Sequence, residues 1–167
     1  MKKESGFTLI ELLISTAILA VVVAGLSLTI NTIMNTYNIA RDKSIAMRQV
    51  QNAGYWMTQD IQRVESPPPN LSSFPIQMQC YTGDDLSDTV TIAYSIVTED
   101  EVNRIYKSVN GGENMLIADY IINTPDKTSI SSSTDNVTGE KYYILEVTAS
   151  FNAAEESGIY VIKPRVQ

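Results

Sequence analysis

The stretch Phe7-Thr-Leu-Ile-Glu11-Leu-Leu-Ile-Ser-Thr-Ala-Ile-Leu-Ala-Val-Val-Val-Ala-Gly-Leu-Ser-Leu-Thr-Ile30 runs for 24 residues with a single charge. About 20 apolar residues cross a bilayer as a helix, so this run predicts a membrane-spanning segment. Lys2 and Lys3 precede it and favour a cytoplasmic N-terminus, which puts the remaining chain outside the cytoplasm. Charge divides the chain at the same place. Residues 12–40 carry no Asp, Glu, Lys or Arg, and residues 1–40 sum to zero, so the net charge of -7 belongs to residues 41–167.

Glu11 is the exception within the apolar run. A carboxylate at membrane depth costs about 3 kcal/mol even on lenient insertion scales, so it ordinarily has a partner or a task. A cut between Gly6 and Phe7 would leave a new α-amino group one helical turn from Glu11. The same amine on a neighbouring copy could pair with this carboxylate, burying both charges only in an assembly and fixing the axial offset between helices.

Lys2-Lys-Glu-Ser-Gly6 followed by Phe7-Thr-Leu-Ile-Glu11-Leu-Leu-Ile14 resembles the class III leader of type IV prepilins and type II secretion pseudopilins. In that family a membrane aspartyl peptidase cuts after the glycine and N-methylates the new first residue. The resemblance implies cleavage after Gly6, methylation of Phe7 and an assembly role for Glu11. It also implies partners: other pilins or pseudopilins met through the N-terminal helix, the prepilin peptidase, the inner-membrane assembly platform and the membrane. The expected location is a single-pass inner-membrane protein with an extracytoplasmic head, then a pilus or pseudopilus. Three features depart from the best-known major pilins: Glu4 makes the leader less basic, Leu28 stands where a helix proline is common, and Cys80 has no second cysteine. A different reading takes the run as an ordinary signal peptide cut after Ala24, or as an uncleaved signal-anchor. It leaves the position of Glu11 without a reason.

Working outward, residues 31–64 contain no proline and one glycine, Gly54. Ala46, Val50, Ala53, Met57, Ile61 and Val64 recur every three or four residues and form one apolar stripe, flanked by Tyr55 and Trp56. Arg48, Gln51, Asn52, Gln59 and Gln62 lie opposite. The pattern predicts a helix that leaves the membrane and lays one face on a globular domain. Pro67-Pro68-Pro69 ends it, because proline removes backbone donors and disfavours helix in the residue before it. A continuous helix from Phe7 to Val64 would span on the order of 87 Å at 1.5 Å per residue. Asn31, Asn35 and Asn38 have weak helix propensity and allow a break between 31 and 40 instead.

Beyond the prolines the texture becomes β. Pro75–Tyr81 is strand-like, and Thr89–Ile96 alternates with Val90, Ile92, Tyr94 and Ile96 on one face. Arg104–Val109 leads into Asn110-Gly-Gly112, a hairpin turn across which Met115–Ile122 is expected to pair. Pro125–Glu140, with Ser131-Ser-Ser-Thr134, reads as an exposed loop, and Tyr142–Phe151 with Gly158–Lys163 as a second hairpin. The expected fold class is therefore α+β, a long membrane and spine helix packed on a mostly antiparallel β-sheet head. The divisions are a leader at 1–6, a transmembrane and assembly helix at 7–30, an amphipathic spine at 31–66 and the head at 67–167. Ala46–Ala53 leading to Asp60-Ile61, followed by Tyr94-Ser95 and Arg104-Ile-Tyr106, resembles the minor pseudopilin J and PilW-like minor pilins.

Composition narrows the chemistry. The chain has no histidine, which removes His-based acid/base catalysis, and its lone Cys80 can form neither an internal disulfide nor a multi-cysteine zinc site. A pI near 4.5 argues against a nucleic-acid partner. No phosphate loop, dinucleotide fingerprint, nucleophile elbow or zinc-protease helix occurs. An enzyme is not expected, and neither is a cofactor. Asp84, Asp85 and Asp88 are weak calcium candidates, with Glu99, Asp100 and Glu101 a second acidic run, and solvated turns explain both. The leading expectation is a prepilin-like structural subunit, a minor pilin or pseudopilin, assembled into a type IV pilus or a type II secretion pseudopilus. The alternative is a membrane-anchored extracytoplasmic binding or adhesin-like protein whose acidic head, with the 125–140 loop, is the contact surface.

Overall fold

The computed structural model describes residues 8–65, 74–82 and 88–165. Helix α1, Leu9–Ile61, is followed by β1 Ile76–Tyr81, β2 Thr89–Glu99, β3 Val102–Val109, β4 Met115–Ala118, β5 Ser129–Thr134, β6 Lys141–Phe151 and β7 Ala154–Ile162. The chain divides into two compact units, Met1–Arg41 and Asp42–Gln167.

In the first unit α1 is long and apolar enough to cross a membrane, with a mean hydropathy of 2.5 over its best 18-residue window. Its leucines, isoleucines and valines are exposed from Leu9 to Ile39. The break allowed between 31 and 40 does not occur, and all three asparagines are helical. Asparagine costs roughly 0.7 kcal/mol relative to alanine in a helix, too little to interrupt one already propagating through Leu, Ile and Met. Hydroxyl side chains also find partners on their own helix. Thr16 donates to the Leu13 carbonyl, Ser27 to Val23, Thr29 to Gly25, Thr32 to Leu28 and Thr36 to Thr32, at 2.9–3.0 Å.

In the second unit the last turns of α1 meet two antiparallel sheets, ordered β1-β2-β3-β4 and β5-β6-β7. All six residues of the expected stripe, from Ala46 to Val64, are buried. In the first sheet Ile76, Tyr94, Lys107 and Met115 form one cross-strand row, and Met78, Ile92 and Val109 the next. In the second sheet Ile130, Leu145 and Tyr160 align across the three strands. Residues 119–122 join the sheets. The Ile121 amide donates to the Asn103 carbonyl beside β3, while the Ile122 amide donates to Thr148 and the Ser150 amide to Tyr120, alongside β6.

β2 runs on to Glu99 and β3 begins at Val102, each a few residues beyond expectation, and the larger differences lie in β4, β5 and β7. β4 stops at Ala118 because a register shift at Ile105/Tyr106 and a left-handed Tyr120 (φ 60°) turn the chain toward the second sheet. Ser129–Thr134 is strand β5, not loop. Ile130 and Thr128 are buried there and the serines are short enough to sit beside β6, so polarity alone misread a strand with one buried anchor. β7 begins at Ala154, four residues before the expected Gly158, because Asn152 (φ 53°) makes the tight turn after β6.

Two glycines let the helix approach the second sheet. A Cβ at Gly54 would stand 2.1 Å from Tyr160 Cζ, and one at Gly158 would stand 2.7 Å from Val50 Cγ1. Tyr160 fills the space over Gly54 and donates its hydroxyl to the Val50 carbonyl at 3.2 Å. Gly54→Ala therefore sets a helix-propensity gain of up to about 1 kcal/mol against an overlap that forces Tyr160 out. The overlap wins, and the variant is expected to lose about 1–3 kcal/mol of head stability. Urea unfolding followed by the single tryptophan, Trp56, measures it. Gly25→Ala, with nothing within 4 Å of the added Cβ, is the neutral control.

Candidate functional site

The first site begins at the N-terminus of α1. Thr8 precedes the helix and Glu11 lies in its first turn, the Thr-x-x-Glu spacing of a capping box. The Thr8 amide and hydroxyl donate to Glu11 Oε2 at 3.0 and 2.9 Å, and the Glu11 amide approaches Thr8 Oγ1 at 3.4 Å. The carboxylate thus satisfies two donors at the helix start and sits where the positive end of the helix dipole favours an anion. It is exposed, as are the leucines and isoleucines around it. Gly6 and Phe7, the expected cleavage and methylation positions, lie outside the described residues.

The second site lies at the other end of the same helix. Asp60 is fully buried. Its Oδ2 accepts the Tyr94 hydroxyl from β2 at 2.5 Å and Lys107 Nζ from β3 at 2.6 Å, and its Oδ1 accepts Arg63 Nη2 at 3.1 Å. Cys80 Sγ donates to the Asp60 carbonyl at 3.3 Å. Lys107, nearly as buried, places its ammonium 5.1 Å from the centre of the Trp56 ring, which adds a cation–π contact to the ion pair. Burial and the neighbouring Asp60 charge push the Cys80 thiol up to about 12. The same two causes, with the hydrogen bond to Asp60, raise the Tyr94 phenol well above its ordinary value. Both groups stay protonated donors. Asp60-Ile61 and Tyr94-Ser95, two separate points of sequence resemblance, are thus joined by one hydrogen bond. Lys107 was not singled out, although alternation along β3 puts it on the same face as buried Ile105; a lysine in a buried row is the signal for a hidden carboxylate.

Of the two acidic runs, the Glu99 carboxylate is held locally. Glu99 accepts the Tyr106 hydroxyl at 2.8 Å and Arg104 Nη1 at 2.7 Å, which hold its carboxyl below the usual range, while Arg104 Nε donates to Asp119 at 3.1 Å. Asp100 (φ 50°) and Glu101 (φ 64°) form the two-residue turn between β2 and β3. Asp84 and Asp85 lie outside the described residues, and the Asp88 carbonyl closes a loop by accepting the Thr82 amide and hydroxyl. Among the described residues no group of three or more His, Cys, Asp or Glu side chains could hold a metal ion.

Removing one charge from the Asp60 cluster leaves the other buried without a partner. Asp60→Asn is expected to cost about 3–5 kcal/mol in urea unfolding, with partial recovery in Asp60→Asn/Lys107→Met. Tyr94→Phe, which removes one hydrogen bond to a charged acceptor, is expected to cost about 2 kcal/mol. Because the folded-state values of Cys80 and Tyr94 are raised, their contribution is complete below their unfolded values of 9.0 and 10.0 and is lost as pH rises through the folded ones. Head stability should therefore fall from about pH 9 toward pH 12, and Cys80→Ala should flatten the decline. Cys80 should resist alkylation at about pH 8 until the head is unfolded.

Residues 1–27 match the family model described as the prokaryotic N-terminal methylation motif. No curated protein and no solved structure matches the chain. The motif marks a structural type of protein and not a known enzyme family, and with the long apolar helix it fits a membrane-anchored protein carrying a head. The motif, the helix and the antiparallel sheets together support a type IV pilin-like protein of α+β architecture.

Proposed function

We propose that the chain is a prepilin-like subunit, a minor pilin or pseudopilin, that is cut after Gly6, N-methylated on Phe7 and assembled through its N-terminal helix. The observation that carries this reading is the pairing of a match to the N-terminal methylation motif with a carboxylate in the first turn of an otherwise apolar, exposed helix. In the membrane the precursor keeps its leader in the cytoplasm and its head outside. After cleavage the helix exchanges lipid for the helices of neighbouring subunits. Glu11 then meets the methylated amine of another copy, and that pair sets the axial offset.

The peptidase and the inner-membrane assembly platform are the partners this route requires. The buried Asp60–Tyr94 contact supports the minor pseudopilin J or PilW-like subtype, since it joins two of the sequence features on which that resemblance rests.

Mass spectrometry of the mature N-terminus tests the processing step. An N-methylated Phe7 is the expected result, and a start at Gly25 or an intact Met1 overturns the reading. Glu11→Val should leave cleavage intact and reduce incorporation into filaments by at least about tenfold, the loss of one buried charge pair. Wild-type incorporation of Glu11→Val would rule out the axial-offset mechanism while leaving the processing step standing.

A further inference from the structure

Where α1 ends, a cleft of about 280 Å³ is lined by Gln59, Gln62, Arg63 and Arg165. Its position follows from the backbone. The Arg165 amide donates to the Gln62 carbonyl at 2.8 Å, tying the chain after β7 to the end of the helix, and Arg63 Nε reaches back to the Gln59 carbonyl at 3.4 Å. The Gln59 carbonyl in the last turn of the helix and the Gln62 carbonyl just beyond it are thereby satisfied, which covers part of the negative end of the helix dipole.

Among the described residues, the side chains that line the cleft bring positive charge. Asp60 is one carboxylate shared by two cations, Lys107 and Arg63, so that cluster carries a surplus of one positive charge. Arg63 spends Nη2 on Asp60 and Nε on the Gln59 carbonyl, which leaves Nη1, and its side chain is 41% exposed. Arg165 adds a second charge, and among the described residues no carboxylate pairs with it. Gln59 in the last turn of the helix and Gln62 just after it set two carboxamides beside the guanidinium groups. The guanidinium fork of Arg165 and the remaining Nη1 of Arg63, flanked by neutral amide donors, suit a planar oxyanion. All of this occurs on a chain whose residues 41–167 carry the whole net charge of -7, so like heads repel elsewhere.

We propose that this cleft binds a carboxylate group presented by an acidic partner protein, a neighbouring subunit of the assembly. The identity of the partner rests on the assembly reading above. The chemistry of the cleft does not, and the two can fail separately: processing and filament entry test the first, and a binding titration of the isolated protein tests the second.

The titration uses the full chain in a non-ionic detergent at low salt, with a capped triglutamate peptide and inorganic phosphate as separate probes, followed by calorimetry. The peptide should bind, and binding should weaken at high salt as exposed charges are screened. Arg165→Glu should reduce peptide affinity by about tenfold or more. Its urea midpoint should stay unchanged, because the side chain is exposed and the backbone donor to Gln62 remains. Phosphate bound as tightly as the peptide would overturn the carboxylate assignment. Absence of peptide binding, or equal binding by Arg165→Glu, would overturn the site.

Discussion

The head is organised around a carboxylate that no water reaches. Asp60 sits on the last full turn of α1, and its three side-chain donors come from β2, β3 and Arg63 just past the end of the helix. Moving an aspartate and a lysine out of water costs several kcal/mol each before their attraction is counted, so such a pair adds little net stability compared with apolar residues of the same shape. What it gives is selectivity among arrangements. A helix residue subtends about 100° of rotation, so slipping α1 by one position would swing Asp60 away and strand Lys107 in an apolar layer. Only one rotation of the helix satisfies the first sheet.

A steric constraint on the second sheet complements that polar one. Gly54 and Gly158 remove the two side chains that would hold helix and strand apart, and Tyr160 occupies the space. The Tyr160 hydroxyl then reaches a helix carbonyl, which is possible only at that short separation. Earlier on α1, Gln49 Oε1 accepts the Asp119 amide from the segment joining the sheets. The helix is therefore oriented by a charge on one sheet, spaced by glycines on the other and bonded to the crossing between them.

Much of this plan was readable in the amino-acid sequence because helical periodicity is set by local geometry. The stripe from Ala46 to Val64 needed no knowledge of its partner to be found, and the same holds for Thr89–Ile96 and the Asn110-Gly111 turn. Elements decided by distant partners were less legible. β5 has one buried anchor, Ile130, among serines, and only β6 makes a strand of it. β4 ends early because residues 119–122 are claimed by two sheets at once. At the N-terminus the lone carboxylate Glu11 stood out in the sequence while its cap by Thr8 came from the structure, and the Asp60 cluster draws on positions 60, 63, 94 and 107 and becomes visible only when strands align. Arg63 and Arg165 are farther apart still in sequence.

The back-bonded hydroxyls of the first unit have a consequence for how freely that helix can change surroundings. Thr16, Ser27, Thr29, Thr32 and Thr36 each complete a hydrogen bond within their own backbone. A hydroxyl that depended on a lipid headgroup or a second helix would have to break that bond whenever its neighbour changed. These make the same bond beside an acyl chain as beside another protein. At these five positions the segment presents little more than its carbon atoms, so transfer between two apolar solvents leaves their bonding unchanged, and Glu11 is the charge that distinguishes them.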